Sequence, residues 1–288
     1  MSSTETRHAV ITGAGSGMGR AMAVNLAGQG ARVAISDWDE VGLHKTAAMA
    51  QEAGAREVLA TKLDVRDRDA VGAHADEVAS LFGPVHLMVN NAGVALFANA
   101  LEQRREDAEW IMDVDFWGVV NGTEAFLPRL IDSGNGERGP SRLVNISSLF
   151  GMVACPTQSA YNAAKFAVRG YSEALSMELR VAKQPVTVTT VHPGGIKTGI
   201  ARAARYAPGT DAARLTSFFE EKLARMTADK AAAVILRGAD RGRSRVVVGL
   251  DAKVLHLTQQ VLGANYQRLV SRVAGRVLSQ QAPERVAR

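Results

Sequence analysis

Short segments that are apolar at nearly every position recur along this chain, each followed by a stretch in which apolar residues return at helical spacing. His8–Ile11, Ala31–Ser36, Glu57–Leu63, His86–Val89, Ser141–Ile146, Val186–Val191 and Arg245–Val248 read as strands. Asp39–Ala53, Asp67–Phe82, Glu106–Asp132 and Ser159–Val181 read as helices, as does the stretch carrying Ala21, Val24, Leu26 and Ala27. A strand that is apolar on both sides must be covered on both sides. The expected fold is therefore α/β, a doubly wound parallel sheet with helices on its two faces.

No interior stretch is rich enough in Pro, Gly or Ser to act as a linker, so one domain is expected over residues 1–250, with 251–288 as a C-terminal helical extension. Of the 288 residues 47% are hydrophobic, enough for a substantial core. Gly134–Pro140 (GNGERGP) reads as a polar surface loop. A single cysteine, Cys155, rules out an intramolecular disulfide framework, and with no Cys/His cluster no metal site is expected. The chain starts with the polar MSSTETRH and has no apolar run near the roughly 20 residues that span a bilayer. Neither secretion nor a membrane span is expected, and a reducing cytoplasm fits best. The formal charge of +5 is concentrated at Arg237–Arg245 and beyond Arg268, without the interleaved aromatics or reading helix of a nucleic-acid module. Nucleic acid is not an expected partner. The extension alternates basic residues with Leu255, Val261, Leu262, Leu269, Val273 and Val277. That pattern suits packing on the body or a neighbouring subunit, an anionic membrane surface being the other reading.

Thr12-Gly13-Ala14-Gly15-Ser16-Gly17-Met18-Gly19 falls where the first strand gives way to a helix. Glycines there let backbone N–H groups approach a pyrophosphate at the helix N-terminus. Asp37 ends the second strand some twenty residues on, where a carboxylate accepts from both hydroxyls of an adenosine ribose and repels a 2′-phosphate. Nothing basic occupies Ala14–Ser16, so NAD is expected rather than NADP. Tyr161 and Lys165 stand four residues apart near the start of a helix and so share a face. A phenol ordinarily titrates near 10 and needs positive charge beside it to work at neutral pH, which Lys165 can supply. Ser148 follows a strand at its C-terminal end, the usual ligand edge of an open α/β sheet.

Taken together these residues resemble the short-chain dehydrogenase/reductase family, in its branch of about 250 residues, from Arg7 to about Leu250. The matching motifs, in order, are TGxxxGxG at Thr12–Gly19, Asp64-Val65, NNAG at Asn90–Gly93, Ser148, YxxxK at Tyr161–Lys165, and Pro193-Gly194 with Thr198. The resemblance implies a Rossmann fold and a homo-oligomer, dimer or tetramer, built through Glu106–Asp132 and Ser159–Val181. It also implies that Gly13, Ser16, Gly17, Met18 and Gly19 cradle the NAD phosphates, and that Asp64 and Val65 lie against adenine. Asn91, Ala92 and Gly93 would line the cofactor, and Pro193, Gly194, Ile196 and Thr198 would meet its carboxamide end. By the same likeness Tyr161 is general acid/base, Lys165 holds the nicotinamide ribose and lowers the tyrosine's pKa, and Ser148 orients the substrate oxygen.

The chain departs from that pattern at Val114-Asp115-Phe116-Trp117-Gly118, where Asp115 stands in place of an Asn that anchors a relay water in many relatives. An ionised carboxylate accepts but cannot donate, so the relay is expected to be altered. The last strand also lacks the acidic-Gly-Gly ending of tetrameric relatives. His192 reads as a strand-end histidine with a structural hydrogen bond, and Cys155, Met152 and Phe150 as pocket walls. Leu215, Phe218, Phe219 and Leu223, within Gly199–Met226, suit a cover over an apolar alcohol or ketone. The expected activity is hydride transfer between NAD(H) and such a substrate. The rival readings are an NAD(H)-binding regulatory protein and a lyase or epimerase on the same scaffold.

Overall fold

Residues 6–279 are described by the computed structural model of the chain. Seven strands form one sheet: β1 (His8–Thr12), β2 (Arg32–Asp37), β3 (Glu57–Lys62), β4 (Leu87–Asn90), β5 (Ser141–Ile146), β6 (Val186–Pro193) and β7 (Arg245–Val248). Their order is β7-β6-β5-β4-β1-β2-β3, and every neighbouring pair runs parallel.

Successive residues of a strand point to opposite faces, and both faces are covered. Ala9 and Ile11 of β1 join one core with Met22 and Leu26 of α1 (Gly17–Ala27) and Ile235 and Leu236 of the helix Ala228–Asp240. Val10, between them, joins the opposite core with Val78 and Phe82 of Arg68–Phe82, Phe126 and Leu130 of Gly118–Gly134, and Leu175 and Leu179 of Ser159–Val181. Each such side chain contributes on the order of 1.5–3 kcal/mol on burial. This two-sided demand is why the strands carry no polar face.

Numbering the remaining helices in chain order gives α2 (Glu40–Ala53), α3 (Arg68–Phe82), α4 (Arg105–Met112), α5 (Gly118–Gly134), α6 (Ser159–Val181), α7 (Ala212–Phe218), α8 (Ala228–Asp240), α9 (Leu250–Leu262) and α10 (Tyr266–Ser279). The helix expected to run unbroken through Glu106–Asp132 is α4 and α5 joined by a π-helical turn at Asp113–Trp117. One widened turn shifts the register of the inward face, and Asp115 lies within it. Such single π turns are frequent at functional sites.

Two short parallel pairings had no signal in the sequence: Leu96–Phe97 with Arg205–Tyr206, and Ile196–Lys197 with Met226–Thr227. They tie the segment after β6 to the edge of the site. Beyond β7, α9 and α10 fold back so that Ala252 and Tyr266 pack with Leu149, Met152 and Val153. Residues 280–288 of the expected extension, and the first five of the chain, lie outside the described residues.

Candidate active site

The sheet order turns back between β1 and β4, and the segments leaving those two strands face one another there. A crevice at such a switch point is where open α/β sheets hold ligands. Thr12 Oγ1 accepts from the backbone N–H groups of Asn91 and Ala92, each at 3.1 Å, and the Asn91 amide donates to the carbonyls of Thr12 and Gly13, each at 3.0 Å. The glycine turn and the Asn91–Gly93 segment are thus one locked unit. Gly13 has φ +63°, and a Cβ there would lie 2.6 Å from Ala92 Cα. Gly13→Ala is therefore expected to destabilise the protein by more than the ~1–2 kcal/mol of a left-handed non-glycine residue alone, seen as a lower urea midpoint.

The turn suits a dinucleotide's phosphates on this structure's own terms. Ser16, the N-cap of α1, makes no side-chain cap bond, and the first turn carries no acid. Helix N–H groups at Gly17, Met18 and Gly19 are left for an anion, favoured by the helix dipole. Gly17 has φ +53° and sits under the side chain of Thr198, 3.1 Å from where a Cβ would be. That contact brings the segment after Pro193 onto the turn. Ile196 beside it is buried, and Gly195 N donates to Asp251 Oδ2 at 2.7 Å. The extension thus braces the Pro193–Gly195 turn, a role that no local pattern marks.

Asp37, at the end of β2, accepts from Gly15 N at 2.7 Å and from Asp39 N at 2.9 Å. Arg20, unmarked in the sequence reading, donates to the Gly15 carbonyl and, at 2.8 Å, to Thr46 Oγ1. Its guanidinium is thus tied to the turn's own carbonyl and to α2. Asp64 bonds Arg66, which holds its carboxyl below the usual range. The two line a cavity of about 480 Å³ with Asp113, Trp117 and Asn121. Val65 is buried against Gly118, and its carbonyl accepts from Asn121 at 2.9 Å.

Ser148, Tyr161, Lys165 and Asp115 converge below the crevice, from the end of β5, the first two turns of α6 and the π turn. Lys165 is 3% exposed and Asp115 is 0% exposed. Lys165 Nζ stands 3.1 Å from Asp115 Oδ2 and 3.3 Å from the Ile146 carbonyl, and Asp115 Oδ1 accepts from Val94 N at 2.7 Å. Gly93 closes the group, since a Cβ there would sit 3.3 Å from Lys165 Nζ and 3.4 Å from Asp115 Oδ1. The Lys165 ammonium lies 5.7 Å from the Tyr161 ring centroid, and Phe150 meets that ring edge-on.

Burial pushes the Tyr161 phenol up, the Lys165 charge and a Ser148 hydrogen bond pull it down, and burial wins. Lys165 alone acts in the expected direction but does not bring the phenol below its ordinary value. Burial works against the Lys165 charge too, yet Asp115 and Tyr161 beside it together more than compensate and the ammonium is held up. Asp115 itself is raised by burial, against the pull of Lys165. Asp115, which stands at the place of the relay Asn in the sequence, is the ion-pair partner of the lysine.

Among the neighbours, His192 is fully buried, its Nδ1 2.9 Å from the Ser148 carbonyl, and burial lowers it to about 4. Burial lifts the Cys155 thiol to about 11, which keeps it un-ionised at neutral pH. Met152 is not a free pocket wall: it is packed under Tyr266. Asp107 accepts from Arg104 at 2.8 Å and Arg205 at 2.9 Å, and Arg205 lies 3.9 Å over the Trp110 ring, which clasps the 205–207 segment to α4.

The model of the short chain dehydrogenase family matches residues 7–208. A putative oxidoreductase of Mycobacterium tuberculosis, SadH, is 54% identical over 271 residues, covering 94% of this chain and 96% of its own. The crystal structure of a short chain dehydrogenase/reductase from Burkholderia phymatum in complex with NAD superposes with a TM-score of 0.83 at 29% identity, covering 93% of this chain and 97% of its own. An alcohol dehydrogenase from the archaeon Thermococcus sibiricus, complexed with 5-hydroxy-NADP, gives 0.70 at 27% identity over 85% and 95%.

Proposed function

This chain belongs to the short chain dehydrogenase family, an oxidoreductase family, and from that premise we propose that it moves hydride between NAD(H) and a secondary alcohol or its ketone. The observation that carries the reading is the burial of one phenol, one ammonium and one hydroxyl in a single cluster at the ligand edge of the sheet. When bound, NAD(H) supplies the hydride donor or acceptor. Gly13, Ser16, Gly17, Met18 and Gly19 hold its phosphates, and Asp37 the adenosine ribose. Asp64 and Val65 lie to the adenine side, Asn91, Ala92 and Gly93 along the middle, and Pro193, Gly194, Ile196 and Thr198 at the carboxamide end.

In the oxidative direction Tyr161 takes the proton of the alcohol at its phenolic oxygen; in reduction it returns a proton to the carbonyl oxygen. Ser148 donates its hydroxyl to the same oxygen and fixes its position. Lys165 holds positive charge against the phenol and meets the nicotinamide ribose, while Asp115 keeps that lysine charged and in place. Phe150 and the Phe218–Leu223 segment favour an apolar substrate. Trp117, Phe166 and Met177, exposed on and beside α5 and α6, suit the subunit contact of a homo-oligomer.

The test is NADH consumption against a panel of apolar ketones. Stoichiometric loss of NADH supports the reading. NADH binding with no consumption on any ketone of the panel would favour a binding protein, and product formed without net NADH change a lyase or epimerase. The cofactor choice is tested by titration: NAD is expected to bind more tightly than NADP. Asp37→Ala is expected to weaken NAD about 10–100-fold, the scale of charged hydrogen bonds lost from a ribose. Tighter binding of NADP to the unaltered protein overturns it.

A further inference from the structure

The outer face of the C-terminal extension is apolar where the fold requires it to be polar. Helix α9 buries Ala252 and half-buries Leu255 against the body. On the opposite side Leu250, Val254, Leu257 and Val261 follow one another at i, i+4, i+7 and i+11 and form a single stripe. They are 77%, 56%, 60% and 74% exposed. On α10, Tyr266 and Val270 turn inward while Leu269 and Val273 stand 42% and 54% exposed. Scattered exposed leucines need no explanation, but an ordered stripe of them on a helix that already has a buried face does.

The charge around the stripe selects the occupant. From Ala252 to Ser279 the sequence has no Asp or Glu and carries Lys253, Arg268, Arg272 and Arg276. Asp251, just before, is committed to Gly195 N. Lys253, Arg268 and Arg272 are exposed. Aliphatic side chains exposed on two helices whose charged residues from Ala252 to Ser279 are all cations complement a surface that is apolar below and anionic above, which is the interface of a negatively charged bilayer. The patch is not on a loose tail. The Tyr266 hydroxyl accepts from Ala154 N at 3.0 Å, and Asp251 braces the turn after β6, so the extension is fixed to the body on both sides of the candidate site.

We infer that α9 and α10 dock the protein, as a peripheral and reversible contact, on the surface of an anionic lipid membrane. No helix among the described residues is long and apolar enough to cross one, and none is needed for this mode. The test is co-sedimentation of the full chain with vesicles of phosphatidylcholine alone and of phosphatidylcholine with phosphatidylglycerol. Binding is expected to the anionic vesicles only and to fall as salt is raised. Arg268→Gln with Arg272→Gln is expected to weaken it about 5-fold per arginine, and Leu257→Asp with Val261→Asp to abolish it. All four positions are exposed, so the variants are expected to melt with the wild type. Failure of the wild type to sediment with anionic vesicles overturns the inference. So does a wild-type oligomer that the Leu257→Asp, Val261→Asp variant splits, because the stripe is then a subunit interface.

Discussion

Tyr161→Phe is expected to lower kcat for ketone reduction by about 10²–10⁴-fold, the range of a lost general acid, while leaving NADH affinity within a few-fold of wild type. The ring is 9% exposed and packed edge-on by Phe150, and phenylalanine keeps that ring. Only the hydroxyl goes, and with it the Ser148 contact, a change of about 1 kcal/mol in stability. A folded, cofactor-binding variant with almost no turnover is the expected result. The pH dependence follows from the cluster. Burial holds the phenol up against the charge of Lys165. A second positive charge, on the oxidised nicotinamide, acts with the lysine to favour phenolate. Alcohol oxidation needs the phenolate and should rise with pH; ketone reduction needs the phenol and should fall as pH passes the same value. Steady-state profiles in both directions check this. A Tyr161→Phe enzyme with undiminished turnover would remove Tyr161 from the chemistry.

The sequence made the sheet legible because its physics is local. Strands covered on both faces must be apolar at adjacent positions, and Ala9, Val10 and Ile11 do divide between the two cores. The glycine turn and the Tyr161–Lys165 pair were legible for the same reason, since each lies within one turn or one helix. What stayed hidden was long-range. Asp251 and Gly195 are 56 residues apart, and Tyr266 and Ala154 are 112 apart. Nothing local marks such a bond. The extension shows the limit well: helical spacing identified its apolar residues, but Val261 and Leu262, read as packing residues, are exposed, while Ala252 is fully buried. Asp115 lies between these cases. Its type was conspicuous, but its partner depended on a π turn that no periodicity announces.

That pair makes a second strong expectation. Asp115→Leu leaves the Lys165 ammonium buried without its counter-charge, and breaking a buried pair in this way costs about 3–5 kcal/mol. At ~2–4 °C per kcal/mol for a chain of this size, the melting temperature should drop by roughly 6–20 °C. Asp115→Asn should lose less, because its amide oxygen still accepts from Val94 N. The two variants therefore separate the charge from the hydrogen bond. The Asp115 charge raises both Lys165 and Tyr161, so in the Asn variant both fall, and the alkaline limb of alcohol oxidation should move to lower pH. The raised lysine contributes its stability fully below its unfolded value of 10.5 and loses it only as pH climbs through the folded value. Across the neutral range the wild type should thus keep its advantage over both variants. Equal melting of all three would mean that the lysine is held by the Ile146 carbonyl alone. A limb that moved to higher pH in the Asn variant would reverse the sign assigned to the carboxylate. Either result would return Asp115 to the part its position suggested, an acceptor for a relay water.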